Sequence, residues 1–308
     1  MGTRLGHIAL VCALALTFGG LSSSGKTEPA PEDTRDAWWY LEHQVALGPR
    51  NPGSEGHRQV RAFLADELER HADRVEVDTF AVAAEGQRHE MSNIAALFKS
   101  ADGRSEPYVL LGAHFDTRPF AECDPEPSMR HTPIIGANDG GSGVAVLMDI
   151  AGTLAVQRPP FPVKLVFFDG EDFGSSLNTM FYGSRRFAAN VNPSEVRCMI
   201  LLDMVGDADL GIYIEGNSYA NAPKLVEAVW ACAAATGHGD VFHNEVRHRI
   251  YDDHIPFIYA GIPAIDIIDF DYPYWHTTGD TIDKCGRLSL NAVRDVVLDF
   301  IFNSNFNQ

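Results

Sequence analysis

Five side chains of metal-ligand type are spread along this chain, each inside a short signature. They are His114 in Gly112-Ala113-His114-Phe115-Asp116, Asp139 in Gly136-Ala137-Asn138-Asp139-Gly140-Gly141, and Asp172 in Asp169-Gly170-Glu171-Asp172. Asp203 in Leu202-Asp203-Met204-Val205-Gly206 and His276 in Trp275-His276-Thr277-Thr278 complete the set. Imidazole with carboxylate is a borderline donor set that suits zinc and leaves room for water or substrate. Asp139 could merely cap a helix, since aspartate satisfies free amides there. The glycines at 136, 140, 141 and 143 also let the backbone pass close to something, which a cap alone does not require. Glu171 and Asp172 are adjacent acids that repel one another unless a cation separates their roles, one as ligand and one as base. Two further acids, Asp252 and Asp253, precede His254. Asp253 could be a helix cap, because Pro256 and Phe257 could begin a helical turn.

These residues need a scaffold that brings them together. His114, Asp172 and Asp203 follow or end the apolar, strand-type runs Val109-Leu110-Leu111, Val163 to Phe168 and Met199 to Leu202. In an open α/β sheet, ligands gather beyond the carboxyl ends of the strands, so the positions could converge in one cleft. Helical spacing is predicted over Thr34–Leu47, Gly56–His71, Gly143–Val156, Asn221–Ala235 and Leu290–Asn303. Further strands are predicted over Val75–Phe80, Asn93–Phe98, Tyr108–His114, Cys198–Met204, Gly211–Glu215 and Ala264–Ile268. This alternation argues for a three-layer α/β/α sandwich with a mixed, mainly parallel twisted central sheet. The near-continuous apolar strands fit helices covering both sheet faces.

With 308 residues and 45% hydrophobic content, the chain can build one domain with a large core. Its net charge of −18 argues against nucleic acid as a partner, because phosphate binding needs clustered Lys and Arg. Residues 1–25 read as an export signal: Arg4, then the apolar Ile8–Phe18, then the small residues Gly19–Gly25. The apolar stretch is too short for a mature spanning helix, so no lasting membrane insertion is expected once the signal is removed. The reading places the protein in a secreted or periplasmic space. Residues 26–34 form a Pro- and charge-rich lead-in, and 35–308 a single catalytic domain. Cys123, Cys198, Cys232 and Cys285 allow two disulfides in three connectivities. Cys198 and Cys232, in strand-like and helix-like runs, read instead as buried small hydrophobes.

From Trp38 to Phe302 the sequence resembles the zinc-dependent M28 peptidases. Within that clan it is similar to the animal-type glutaminyl cyclases and their bacterial relatives. The most specific pieces are Gly48-Pro49-Arg50-Asn51-Pro52-Gly53-Ser54-Glu55-Gly56-His57, Phe167 to Asp172, Tyr182-Gly183-Ser184-Arg185, Asp252-Asp253-His254-Ile255-Pro256-Phe257, and the Trp275-His276 pair. The resemblance implies zinc on Asp139, Asp172 and His276, with Glu171 as general acid/base. It implies Trp275 as a substrate-binding wall and Asp203 and Asp253 as acids sharing a proton network with Glu171. In the dizinc aminopeptidases of the clan, His114 and Asp203 hold a second metal bridged by Asp139. The cyclases keep these positions yet bind one zinc, so the ligand set leaves the metal count open: one for a cyclase, two for a peptidase. Asp116 is expected to orient a neighbouring ligand.

Two features depart from the family pattern. Asp172 stands where many members carry Glu, and Phe173–Leu177 lacks a second pocket tryptophan. The expected activity is glutaminyl-peptide cyclotransferase on peptide or protein N-termini. The alternatives are an aminopeptidase and a non-catalytic binding ectodomain.

Overall fold

In the computed structural model the described residues are 2, 35–84, 86–304 and 306. The chain enters through α1 (Ala37–Ala46), capped by the Asp36 carboxylate accepting from Trp39 N, and α2 (Glu55–Leu68), capped by Ser54. A long hairpin follows, β1 (Arg74–Ala84) and β2 (Gln87–Phe98), then β3 (Tyr108–His114) and α3 (Gly141–Val156). Next come β4 (Val163–Phe168), α4 (Tyr182–Asn190), β5 (Val196–Asp203) and β6 (Ile212–Glu215). Then follow α5 (Gly216–Asn221), α6 (Pro223–Ala235), β7 (Phe242–Arg247), α7 (Ile255–Tyr259), β8 (Ala264–Ile268) and α8 (Arg287–Asn303).

Six strands form one sheet in the order β1-β2-β4-β3-β5-β8, with β6 and β7 paired apart. The hairpin joins antiparallel through β2 and β4, while β4, β3, β5 and β8 run parallel. Side chains on the parallel strands alternate between two buried faces. Leu111, Leu165, Phe167, Ile200, Leu202 and Ile267 pack on one face with α1, α3 and α8. Leu110, Val166, Phe168, Met199 and Leu201 fill the other with Phe187 of α4 and Phe257 of α7. The result is the three-layer α/β/α sandwich, with four adjacent strand ends opening on one edge.

Residues Arg35–Gln308 form one compact unit. Apart from residue 2, the segments expected to be an export signal and a lead-in fall outside the described residues. Among those described, no helix is long and apolar enough to cross a membrane. Cys123, Cys198, Cys232 and Cys285 are all free thiols, and the last three are buried.

Candidate metal and acid–base site

The parallel strand ends set the site. His114 ends β3 and Asp203 ends β5, the strand beside it. On its other side β4 runs into the turn carrying Glu171 and Asp172. Asp116 fixes that turn by accepting from the backbone N–H of Glu171 (3.1 Å) and of Asp172 (3.2 Å). Asp169 ties it below, accepting from Ser92 N at 2.6 Å and lying 2.9 Å from His57 Nε2. Sequence reasoning assigned His57 no role, yet this buried pair anchors the turn.

The Asp139 turn is held as closely. Asp280 accepts from Asn138 N (2.9 Å) and Asp139 N (3.1 Å), and Asn138 Oδ1 accepts from Gly206 N at 2.7 Å beyond β5. Gly140, not Asp139, occupies the cap position of α3, so the Asp139 carboxylate is not spent on capping. Gly140 has φ 81°, and a Cβ there would meet the Asp116 carbonyl oxygen at 2.5 Å.

Two donor sets result, and they share Asp139. His114 Nε2 lies 3.1 Å from Asp203 Oδ1 and 3.2 Å from Asp139 Oδ1. His276 Nε2 lies 3.2 Å from Asp172 Oδ1 and 3.7 Å from Asp139 Oδ2. In each set the donor atoms lie within 4.8 Å of one another. All five side chains are buried, and Asp139 Oδ2 and Asp172 Oδ2 have no hydrogen-bond partner. Buried carboxylate oxygens without partners are costly, and beside an imidazole they form the donor set that a zinc ion satisfies. The residues therefore fit the metal that the sequence implies. Phe181, Met204 and His276, all lining the cavity in front of these sets, hold left-handed φ values of 60°, 45° and 53°. Strain of this kind persists only where the surroundings over-determine it.

That cavity measures about 320 Å³. Trp275 lines it, stacked on His276 with ring centroids 3.8 Å apart and packed on Phe270 at 5.4 Å. Glu171 lines it too, with Oε2 3.7 Å from His114 Nδ1. Burial, and next the charge of Asp172, hold the Glu171 carboxyl well above its usual range, and Asp252 and Asp253 add to this. Of the doubled acids, Asp252 faces the cavity. Asp253 is fully buried behind it beside Ser184, pushed up to about 7 mainly by burial. Neither caps α7, whose cap position is His254. The His254 ring lies 3.3 Å from Glu215 Oε2 and 3.9 Å from Asp266 Oδ2, beneath the acid pair.

Two residues that the sequence did not single out touch the ligands directly. Arg118 Nη1 reaches Asp172 Oδ1 at 3.2 Å, and Glu122 Oε1 lies 2.9 Å from His276 Nδ1. A lone Arg and Glu in a loop read as solvated charges, so only the fold reveals them. Burial would raise the Asp172 carboxyl, but His276 and Arg118 outweigh it and hold Asp172 down at about 2.

Residues 93–301 match the sequence profile of peptidase family M28. Among characterised relatives, glutaminyl-peptide cyclotransferase from Bos taurus is 25% identical, covering 85% of this chain and 80% of its own. Among solved structures, Tannerella forsythia glutaminyl cyclase is 37% identical with a TM-score of 0.82, covering 87% of this chain and 97% of its own. A Zn-dependent exopeptidase from Parabacteroides distasonis is 36% identical with a TM-score of 0.83 and the same coverage.

Proposed function

Because the chain belongs to peptidase family M28, we propose that it is a zinc-dependent glutaminyl-peptide cyclotransferase. It would convert the N-terminal Gln of a peptide to pyroglutamate and release ammonia. The observation that carries this reading is the meeting of Glu171, Asp203 and Asp252 at the wall of one cavity, beside the Asp139–Asp172–His276 set. The doubled acid Asp252-Asp253 before His254, with the Trp275 wall, is where the chain resembles the cyclases more than the peptidases. The cyclase and exopeptidase likenesses to solved structures are equally close, so the reading is supported by the local chemistry alone.

One zinc held by Asp139, Asp172 and His276 would polarise the γ-carboxamide carbonyl of the substrate. The chain's own groups do the rest. The α-amine nitrogen forms a bond to the γ-carboxamide carbon, and the bond from that carbon to the amide nitrogen breaks. Glu171, ionised, takes the proton lost by the amine and returns it to the departing ammonia. Its buried, acid-ringed position raises its proton affinity above that of a free glutamate, which suits a group that must both take and give a proton near neutrality. Asp252, with Asp253 behind, shares the charge with Glu171, since closely packed acids cannot all ionise, and Asp203 closes the same wall. Trp275 gives the substrate side chain a flat apolar wall. Residues 1–25, with Arg4 before the apolar Ile8–Phe18, would serve as an export leader, and the enzyme would then act on peptide N-termini in a secreted or periplasmic space.

One observation favours a second reading. Asp139 presents one oxygen to each donor set, the arrangement of a two-metal centre. On that reading His114 and Asp203 hold a second zinc, and Glu171 activates water to release the first residue. Product mass from a Gln-initiated peptide tests the proposal: loss of ammonia supports the cyclase, and loss of the whole residue refutes it in favour of the aminopeptidase.

A further inference from the structure

Arg118 and Glu122, on the loop between β3 and α3, close a ring through two of the proposed zinc ligands. Arg118 Nη1 donates to Asp172 Oδ1 at 3.2 Å, and that oxygen lies 3.2 Å from His276 Nε2. The other His276 nitrogen, Nδ1, lies 2.9 Å from Glu122 Oε1, and Glu122 accepts from Arg118 Nε at 2.9 and 3.1 Å. The ring is pinned from outside. Arg118 is buried, and its Nη1 also donates to the carbonyl oxygens of Gly174 (2.8 Å) and Asp172 (3.3 Å). The loop is laced to the His276 segment. Cys123 N donates to the His276 carbonyl at 3.2 Å, and Asp124 Oδ2 accepts from Thr278 N at 2.8 Å and Thr278 Oγ1 at 2.6 Å.

An imidazole offers a lone pair through one nitrogen only when the other carries the proton, and a carboxylate on Nδ1 fixes that tautomer. Glu122 therefore holds a proton on Nδ1, so that Nε2, which faces Asp139 and Asp172, is the nitrogen that would offer its lone pair to a metal. Arg118 occupies Asp172 Oδ1 and leaves Oδ2 as the oxygen without a partner. We propose that Arg118 and Glu122 are positioning residues that preset the tautomer of His276 and the free oxygen of Asp172, so that the affinity of this set for zinc depends on the Arg118–Asp124 loop. The inference rests on the reading that Asp139, Asp172 and His276 hold zinc. It does not depend on which reaction follows.

The test is zinc affinity of the purified full chain, measured by competition with a chromophoric chelator, together with the visible spectrum of the cobalt-substituted protein. Glu122→Ala should bind zinc about 10- to 100-fold more weakly, the range seen when such partners of a ligand are removed. Its cobalt spectrum should shift, while the melting temperature of the metal-free protein stays that of the wild type. Glu122→Gln keeps the size and an acceptor but not the charge, and should lose about tenfold; it carries the same test should the alanine variant fail to fold. Arg118→Met combined with Glu122→Ala should lose less than the two single losses multiplied together, because both act through one ring. Wild-type zinc affinity and an unchanged cobalt spectrum in both Glu122 variants would overturn the proposal, as would fully independent losses in the double variant. A wild type that binds no zinc removes the metal reading itself, whatever product the enzyme makes.

Discussion

Replacing Glu215 with glutamine should destabilise the wall that carries the acid pair, by an amount that changes with pH in a defined direction. Glu215 is buried, and Oε1 accepts from Asn217 N (2.8 Å) and Ile250 N (3.0 Å). Oε2 accepts from Ser218 N (2.6 Å) and Ser218 Oγ (2.8 Å), and lies 3.3 Å from His254 Nε2. Ile250 and His254 flank Asp252 and Asp253, so this one carboxylate holds both ends of their segment. Burial pushes its pKa up, but the His254 ring and the Asn217 and Ser218 amides outweigh it and bring it from 4.5 to about 2. That depression corresponds to about 3 kcal/mol of stability. A depressed carboxylate contributes its full share above its unfolded pKa and loses it as pH falls toward the folded value. The charge-dependent part of the difference in urea unfolding between metal-free wild type and Glu215→Gln should therefore be about 3 kcal/mol at pH 7 and about 2 kcal/mol at pH 3.5. The amide also sets an N–H donor against the Ser218 or Asn217 amides, which adds a cost independent of pH. The test is thus the change in the deficit between the two pH values. A deficit equal at both, or larger in acid, would refute the assignment of Glu215 as a charge-bearing anchor.

Zinc dependence predicts that chelation abolishes turnover and added zinc restores it; elemental analysis should find about one zinc per chain, and two tightly held ions would favour the aminopeptidase. Glu171→Gln should keep zinc and fold while turnover drops by roughly 10²–10⁴-fold, so a variant with most of its rate would show that the proton carrier lies elsewhere. Asp252→Asn removes an acid that helps hold the Glu171 carboxyl up and whose own carboxyl is held well above its usual range by burial and next by Asp203. Glu171 must be ionised to accept the amine proton, so the acidic limb of the pH–rate profile should move to lower pH with zinc content unchanged, and Asp253→Asn should move it less. A profile unmoved by Asp252→Asn would take Asp252 out of the network.

What the sequence disclosed and what it hid follow from direction. His114 and Asp203 were legible because each ends an apolar strand, and a strand of alternating direction in a covered sheet fixes where its last residue points. Asp139 was legible because its glycines mark a turn whose backbone packs closely: Gly140 must pass against the Asp116 carbonyl. The helix α4 escaped notice because the residues it buries, Gly183, Ser184 and Ala188, are small and leave no apolar stripe. β7 did so because only Phe242 of its six residues is buried. The outer half of the β1–β2 hairpin is largely exposed, so its pattern predicted two short strands instead of eleven and twelve residues.

The harder losses lie in loops, where no period assigns a side chain to a face. Asp252 and Asp253 are chemically identical neighbours, and the sequence-level choice fell on Asp253 as the network acid. The fold turns Asp252 to the cavity and buries Asp253 behind it, because the segment is pinned by Ile250 N on Glu215 at one end and by His254 against the same carboxylate at the other. Arg118 and Glu122 are four residues apart, the spacing of a solvated ion pair, and nothing local distinguishes them from one. They gain meaning only because Cys123 and Asp124 of the same loop are hydrogen-bonded to His276 and Thr278, more than 150 positions along the chain. A residue that donates to a metal can be inferred from its own chemistry, whereas one that orients the donor is defined by which two distant loops the fold joins.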